Sequence, residues 1–437
     1  MSKIMESVME NLKKHGAEGD LILSNSKSLK VSVHNGAINE YKVTGSQMMG
    51  IRVIKDDRVG ISYTESLDPE SLNLLVKQAL DNAQIAEPNT LEKILKLSGE
   101  ISDVAHYDEA PVEMSAKTQL ALDLEAKMKA LDSRITAVPY NGYSEGETHS
   151  TYLTSHGRKT VWGDKSFSIT TSALMDDKGK KADFYDYQAT HYFKDLNPKK
   201  IIDTAFFHAK NILEEKAIPT GRYQVRYTED MLESLMGCFS NFYSAKAAID
   251  KVNPWATKLG ETVMSKDITL IDHPTYEGAF RRSIFDDEGL ERKPLNLIED
   301  GVLKSFLHNS VTAKHFKTES TAHAARGATS SLGVSGTHFL LKGKNPKSMP
   351  NKYLEVIQID GLHSGANRVT GDFSFGVKGY IWENGERKGT FGNVTLSGNI
   401  IELFKNVEVV GSELKASTDH SFFTVPLVFN NQSIAGA

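Results

Sequence analysis

Residues 283–316 read SIFDDEGLERKPLNLIEDGVLKSFLHNSVTAKHF and join an acidic turn, a predicted strand hairpin and a segment that carries histidines. Apolar residues on both sides of Glu299-Asp300-Gly301 predict two strands connected by a tight turn. Asp286, Asp287 and Glu288 precede a glycine, a pattern that is typical of a second tight turn. The block therefore predicts a charged turn followed by an antiparallel hairpin.

The chain has 437 residues, which is long enough to bury a sizeable core. Its length predicts about three domains of roughly 150 residues each. The chain has 51 Lys and Arg against 56 Asp and Glu, a formal net charge of −5 that is spread without blocks of like charge. We therefore expect no direct contact with nucleic acid.

Cysteine usage and the first residues of the chain indicate a reducing, cytoplasmic location. Cys238 is the only cysteine, which excludes an intramolecular disulfide and a multi-thiolate metal site within one chain. It lies in an apolar stretch, where burial would raise its pKa and keep the thiol inert. The first residues place charges among apolar positions, unlike a signal peptide. No apolar run approaches the roughly 18 residues of a membrane helix.

The order of the periodic patterns predicts an α+β protein with three sequence units. Residues 1–112 begin with an amphipathic helix, continue as an antiparallel meander and end with a helix after Asp68-Pro69. Residues 113–219 combine helices with strand-like runs. Residues 220–437 carry one early helix and then mostly strands, which predicts a C-terminal antiparallel sheet that is curved or barrel-like, with few helices.

The helix predicted after Tyr227 is the first place to look for a helical metal site, because one helical turn puts two ligands on the same face. It offers Glu229, Asp230 and Glu233 but no histidine. None of the fourteen histidines of the chain is followed by glutamate, so neither HExxH nor HExxxH occurs. A zincin-type site is therefore absent from the sequence.

Two groups within residues 283–316 could still bind a cation. The run Asp286–Glu288 offers oxygen ligands for a hard cation. The more usual role of such a run is a solvated turn that pairs with nearby arginines, here Arg281, Arg282 or Arg292. His308 and His315 would share one face of a continuous helix, but zinc would need a third donor such as His323. Hydrogen-bonded or surface histidines are the plainer interpretation.

An aromatic strand pattern offers a possible surface for an extended peptide. Phe373, Phe375 and Tyr380 alternate with glycines, which allow another backbone to approach closely. Such a strand could accept a peptide by strand addition. The alternative is that these aromatic side chains pack the core of the sheet.

Several ordered blocks of the sequence resemble the TldD/TldE (PmbA) superfamily, whose older name is modulator of DNA gyrase. They are SIFDDEGL, LNLIEDGVLKSFLHN, TAHAARG, GDFSFGVKGYIWENGE, LSGNIIEL and, in the N-terminal half, NGAINEYKVTGSQMMGIRVI. The resemblance covers nearly the whole chain. It implies an N-terminal α+β region, a C-terminal region rich in antiparallel strands and a heterodimer of TldD-like and TldE-like subunits.

The resemblance also indicates which subunit type this chain is similar to. In that family the TldD-like subunit carries HExxxH on a helix and a downstream cysteine, which hold zinc for peptide-bond hydrolysis. The matching helix falls on Asp230–Asn241, where both histidines are missing. The matching downstream segment, about Ser417–Thr424, has His420 but no thiol. The chain therefore resembles TldE (PmbA), with no catalytic or metal-binding residues expected and zinc expected in the partner.

The resemblance implies a metallopeptidase complex that cleaves unfolded or extended peptides in peptide maturation and proteolysis. This chain would shape the chamber and bind peptide, and the isolated chain could form a homodimer. The candidate residues of a peptide or partner groove are Asp286, Asp287, Glu288, His308, Phe373, Phe375 and Tyr380. Two alternatives stay open: an independent hydrolase that uses the acidic turn with His308, and a regulatory protein that modulates DNA gyrase or another enzyme.

Overall fold

A computed structural model describes residues 2–105, 107 and 111–436 as a mixed α+β fold. The N-terminal half contains, in order, α1 (Ser2–Lys14), β1 (Glu18–His34), β2 (Ala37–Lys55), β3 (Arg58–Thr64), α2 (Pro69–Ile85), β4 (Gly99–Val104), α3 (Met114–Lys129), β5 (Ile135–Ala137), β6 (Gly142–Thr154), β7 (Arg158–Asp177), β8 (Lys180–Thr190) and α4 (Pro198–Ile212). None of the helices in the described residues combines the length and apolar composition that crossing a membrane requires.

The remaining elements follow from residue 221 onward and are mostly strands, as the sequence predicts. They are β9 (Gly221–Tyr227), α5 (Glu229–Cys238), α6 (Ala245–Ile249), β10 (Ile268–Asp272), β11 (Leu295–Glu299), β12 (Val302–Leu303), α7 (Ser310–Phe316), β13 (Ala324–Ala325), β14 (Gly333–Val334), β15 (Phe339–Gly343), β16 (Lys352–Asp360), β17 (Asp372–Glu383), β18 (Glu386–Asn399), α8 (Ile400–Lys405), β19 (Val407–Val409), β20 (Lys415–Ala416), β21 (Phe422–Thr424) and β22 (Leu427–Ala435).

Strands β1 to β8 form one eight-stranded sheet. Its main order is β3-β2-β1-β6-β7-β4, and β5 and β8 also pair with β7. Helices α1 to α4 bury their apolar sides on one face of this sheet, against alternate residues such as Leu21, Val31 and Ile51. The sheet is continuous across residue 112, so the sequence units 1–112 and 113–219 share it. The division of the chain into three domains at residues 112 and 219 stays a prediction.

Local chemistry sets the predicted turns and helix starts of this region. Asn35-Gly36 and Asp56-Asp57 adopt positive φ angles, which the tight hairpins between β1, β2 and β3 require. The Asp68 side chain accepts a hydrogen bond from the Ser71 amide at 2.9 Å and caps α2. These predictions from the sequence are confirmed.

The C-terminal half contains a closed barrel. Strands β18, β17, β16, β9 and β22 lie side by side in that order, and β18 pairs with β22 to close the ring. Only the β9–β16 pairing within this ring is parallel. A second sheet has the order β12-β11-β10-β15-β21-β20. The predicted curved or barrel-like sheet is confirmed.

The sequence of residues 229–252, after Tyr227, predicts one helix, and that prediction is wrong. The helix α5 ends at Cys238, a 3₁₀ turn covers Ser240–Tyr243, and α6 begins separately. Phe239 and Phe242 turn into the core here, and the Ser244 hydroxyl caps α6. Burial of the aromatic rings at this bend outweighs the continuation of a regular helix.

Candidate functional site

Helix α5 lies against the segment of residues 417–421, which the family resemblance matches to the metal site of a catalytic relative. The Asp230 carboxylate accepts hydrogen bonds from the amide of Thr418 at 2.7 Å and from its hydroxyl at 3.1 Å. The Ser421 hydroxyl donates to the Glu233 carboxylate. The side chains of Asp230 and Glu233 therefore join the helix directly to this segment by accepting hydrogen bonds from one backbone amide and two hydroxyl groups.

Negative charge is concentrated where α5 meets this segment. Burial raises the pKa of Glu233 to about 7, and the carboxylates of Asp419 and Asp230 contribute to the rise. Burial also raises the pKa of Tyr187, on β8, and Asp419, Asp230 and Glu233 add to that shift. We call Asp230, Glu233 and Asp419 the acidic cluster. Its carboxylates act electrostatically on Tyr187, which belongs to the N-terminal half of the chain.

The donor set at this position does not fit the zinc site that the resemblance implies for a TldD-like subunit. Such a site needs two imidazoles and a thiolate, whereas α5 and residues 417–421 supply carboxylates, hydroxyls and His420. The thiol of Cys238, the last residue of α5, lies 3.8 Å from the carbonyl oxygen of Leu362. The Nδ1 atom of His420 lies 3.0 Å from the carbonyl oxygen of Gly278. Across residues 2–105, 107 and 111–436, no three His, Cys, Asp or Glu side chains are grouped to hold a metal ion.

Replacement of Glu233 by Gln should flatten the pH dependence of stability. Because the folded-state pKa is raised from 4.5 to about 7, the stability linked to this group is complete below pH 4.5 and is lost as the pH rises through about 7. Glutamine keeps an acceptor for Ser421 and cannot ionise. We expect Glu233→Gln to exceed the parent in stability by about 1 kcal/mol near pH 8, with solvent screening taken into account.

Urea unfolding of both proteins in acidic and mildly alkaline buffer measures this effect. Glu277→Gln is the matched control because Glu277 is exposed. Identical pH profiles for Glu233→Gln and the parent would contradict the burial of this carboxylate.

The acidic turn at residues 286–288 is buried, so the prediction of a solvated turn is wrong. Asp286 and Glu288 are 0% and 1% exposed, while Asp287 is half-buried. The Asp286 carboxylate accepts from the amides of Glu288, Leu290 and Ala324, each at 3.0 Å. Burial raises the pKa of Asp286 to about 7, with a further contribution from Glu288. The turn is fixed by backbone amides. Of the three predicted arginines, Arg292 offsets part of the pKa rise of Asp286, whereas Arg281 pairs with Asp164.

Glu288 has a structural role at the start of α7. Its carboxylate accepts from the Ser310 amide at 2.9 Å and from the Ser310 hydroxyl at 2.6 Å. A carboxylate at a helix N-terminus satisfies free amide groups there. Both oxygens of Glu288 are thus occupied within the fold.

The histidines of this region do not form the predicted helical pair. His308 precedes α7, whereas His315 lies within it, so the two do not share a face of one continuous helix. The His308 side chain is buried, its Nδ1 atom lies 3.3 Å from the Thr312 hydroxyl, and burial lowers its pKa to about 4. His323 is also buried, with Nε2 3.0 Å from an oxygen of Asp272. These positions fit the plainer, hydrogen-bonded interpretation.

The aromatic residues of β17 are buried, so their predicted place in a peptide or partner groove is wrong. Phe373, Phe375 and Tyr380 are 4%, 1% and 3% exposed. The first two rings stack at 5.3 Å between centroids. The Tyr380 hydroxyl lies 2.7 Å from Nδ1 of His208 on α4. Phe373 and Phe375 belong to the core of the C-terminal half, whereas Tyr380 is buried in the core that α4 and the eight-stranded sheet share.

A buried ionic cluster that sequence reasoning missed connects the two halves of the chain. We define it as Asp20, Arg52, Glu288 and Arg326, all at most 6% exposed. Asp20 accepts from Arg52 Nε at 3.1 Å and forms a second ion pair with Arg326. Burial alone would lower the pKa of Arg52, but Asp20 and Glu288 raise it above its usual value. The only signal in the sequence is that two charged residues interrupt otherwise apolar strands.

Comparison with known proteins agrees with this architecture. Family models for PmbA/TldA metallopeptidases match residues 19–83 as domain 1, residues 107–213 as the central domain and residues 220–436 as the C-terminal domain. The metalloprotease PmbA of Escherichia coli O157:H7 is 22% identical over 418 residues, covering 93% of this chain and 90% of that protein.

Solved structures share the fold over their whole length. A candidate modulator of DNA gyrase from Bacteroides thetaiotaomicron superposes with a TM-score of 0.87 at 20% identity, covering 100% of this chain and 99% of that one. TldE from Thermococcus kodakarensis gives a TM-score of 0.80 at 21% identity, covering 99% and 100%. Since the matched family models together span most of the sequence, the chain belongs to the PmbA/TldD metallopeptidase family.

Proposed function

We propose that this chain is the TldE-like, non-catalytic subunit of a cytoplasmic metallopeptidase complex. In this proposal a TldD-like partner holds the zinc, and the complex cleaves unfolded or extended peptides. The observation that supports this proposal most is the set of side chains on α5. A catalytic relative would need histidines on this helix, whereas this chain has Asp230, Leu232 and Glu233 there. Membership of a metallopeptidase family supplies the reaction class.

The contacts of α5 support a structural role at that position. Leu232, Leu235 and Met236 are buried in the core beneath the helix, so this face is used for packing. Asp230 and Glu233 hold residues 417–421 by hydrogen bonds. Zinc would lower the pKa of a bound water and polarise the scissile carbonyl, and in this proposal that chemistry comes from the partner.

The independent hydrolase that the sequence left open receives no support from the geometry. Glu288 caps α7, Asp286 accepts from backbone amides, and His308 is buried beside Thr312. A general base must reach the proton that it removes, and these groups are shielded from solvent and occupied.

A reconstitution assay tests the proposed function. The purified chain, a TldD-like subunit and their mixture are incubated with a labelled unfolded peptide, and cleavage is followed by mass spectrometry. We expect copurification of the two subunits and cleavage by the mixture. A partner in which a zinc-binding histidine is replaced is the control and should leave the mixture inactive. Robust zinc-dependent cleavage by this chain alone would contradict the proposal.

A further inference from the structure

The outer edge of β2 is only partly covered by a neighbouring strand. Strand β3 pairs with β2 from Met49 to Lys55. Residues 37–48 of β2 have β1 on one side and, within the part of the chain that the structure describes, no strand on the other. Alternate residues of an antiparallel strand direct their amide and carbonyl groups to opposite sides. About half of the backbone groups of this stretch therefore point outward, where a further strand can pair with them.

Three large apolar side chains lie along this open edge. Ile38, Tyr41 and Val43 are 48%, 51% and 65% exposed. Their cross-strand neighbours on β1 are buried in the core beneath α3 and are, in the same order, Val33, Val31 and Leu29. Residues directly opposite each other in an antiparallel pair project from the same face of the sheet. The apolar layer beneath α3 therefore continues to the edge of the sheet, where it is exposed to solvent.

The charges on the other face of this edge are not balanced within the chain. Lys30 on β1 and Lys42 on β2 are directly opposite each other, and like charges in that arrangement repel. The Glu40 carboxylate lies 2.7 Å from the Nζ atom of Lys30 and forms an ion pair with it. Lys42 makes no ion pair with the side chains that the structure describes. One carboxylate therefore serves two lysines at this edge.

A second copy of the chain supplies the carboxylate that Lys42 lacks. When β2 pairs antiparallel with β2 of a second copy and the two Tyr41 residues lie opposite each other, Glu40 of each copy lies opposite Lys42 of the other. This match occurs twice because the pairing is symmetric. The neighbouring registers that keep the helices on one side of the sheet place two Lys42 or two Glu40 residues opposite each other. Charge therefore selects the register that is centred on Tyr41.

We propose that the isolated chain forms a symmetric dimer in which residues 37–45 of β2 pair with the same residues of a second copy. The pairing joins the two eight-stranded sheets and extends over about nine residues, roughly 30 Å. It places the two Tyr41 rings side by side, with Val43 of each copy diagonal to Tyr41 of the other, so both exposed apolar layers are covered. The interface is small, and we expect a dissociation constant in the micromolar range.

The chemistry of the edge favours a second copy over an extended peptide. A peptide of arbitrary sequence can pair with the backbone but carries no carboxylate at a fixed position opposite Lys42. Glu40 and Lys42 are two residues apart on the same face, a spacing that is complementary to itself in the antiparallel orientation. The pairing involves neither zinc nor a TldD-like partner, so it holds or fails independently of the proposed function.

Cysteine cross-linking of the full-length protein tests both the surface and the register. Cys238, the only cysteine of the chain, is replaced by Ala, and Tyr41→Cys is introduced into that protein. Two cysteines at the centre of the pairing are close enough to form a disulfide, so mild oxidation at micromolar concentration should give a covalent dimer. Thr44→Cys in the same background is the matched control, since Thr44 is exposed on the same strand. The two copies of residue 44 would lie about 20 Å apart and should not cross-link.

A charge swap tests the complementarity of the two copies. Lys42→Glu places two carboxylates opposite each other at two positions of the interface and should weaken dimerisation roughly tenfold in sedimentation velocity. Glu40→Lys/Lys42→Glu restores opposite charges across the interface and should return the dissociation constant to near that of the parent. Lys13→Glu on α1 is the control, because Lys13 is exposed and lies outside the interface. Thermal unfolding midpoints equal to that of the parent show that the variants are folded.

Four results would overturn this inference. They are a parent protein that stays monomeric throughout the micromolar range, a cross-link from position 44 but none from position 41, and an unchanged dissociation constant for Lys42→Glu. The fourth comes from repeating the oxidation with an unfolded synthetic peptide that contains one cysteine. A mixed disulfide between position 41 and that peptide, in place of the covalent dimer, would assign the edge to peptide binding.

Discussion

Replacement of Asp20 by Asn is expected to lower the free energy of unfolding by about 3–5 kcal/mol. The side chains of Asp20 and Arg326 are both 0% exposed and form an ion pair across 306 positions of sequence. Asparagine preserves the size of the side chain but leaves the guanidinium of Arg326 buried without its anion. Breaking such a pair from one side is strongly destabilising, because the remaining charge cannot reach water.

A double-mutant cycle separates the ion pair from other effects of the substitution. Arg326→Met removes the second charge, so Asp20→Asn/Arg326→Met should be more stable than the sum of the single changes predicts. Urea unfolding of all four proteins measures the coupling. Asp81→Asn, in the exposed pair with Lys77, is the control and should cost less than about 1 kcal/mol. Equal losses for Asp20→Asn and Asp81→Asn would contradict the buried ionic cluster.

Replacement of Gly50 by Ala is the second change for which we expect a large loss, about 1–3 kcal/mol. A Cβ atom at Gly50 would lie only 1.9 Å from the carbonyl oxygen of Ala328, which is backbone and cannot rotate away. The C-terminal half would therefore have to move off the sheet at a point beside the buried ionic cluster. Thermal unfolding measures the loss.

Gly146→Ala is the matched control for this prediction. Gly146 lies in the same sheet, and a Cβ atom built there meets nothing within 4 Å. We expect Gly146→Ala to change the unfolding midpoint little. If both alanine variants unfold at the temperature of the parent, the close packing of β2 against Ala328 is not present in solution.

Features with a local cause could be predicted from the sequence. Asn384-Gly385 and Asp300-Gly301 both adopt the positive φ angles that tight hairpins need, and that preference is carried by the residues themselves. The many strand-like runs after residue 220 predicted a curved or barrel-like sheet. Its closure, through β22 pairing with both β9 and β18, joins segments at opposite ends of the C-terminal half and has no local signal.

The candidate site was harder to predict because its partners are distant in sequence. The sequence predicts that the acidic turn pairs with arginines nearby in sequence. In the structure the Glu288 carboxylate lies 3.8 Å from the guanidinium of the distant Arg52, and the Asp287 carboxylate accepts a hydrogen bond from the amide of Arg326. The alternation of Phe373 and Phe375 with glycines predicted a strand. It did not show which face of that strand would be buried once the sheet closed into a barrel. The absent histidines of α5 could be recognised from the sequence, because the absence of a residue type needs no knowledge of packing.

The zinc content of purified proteins tests the central claim most directly. Inductively coupled plasma mass spectrometry is applied to this chain alone, to the TldD-like subunit and to their complex after dialysis against metal-free buffer. We predict negligible zinc in this chain and one zinc per TldD-like subunit in the complex. One tightly held zinc per molecule of this chain in isolation would contradict the assignment of α5 as a position without metal-binding function.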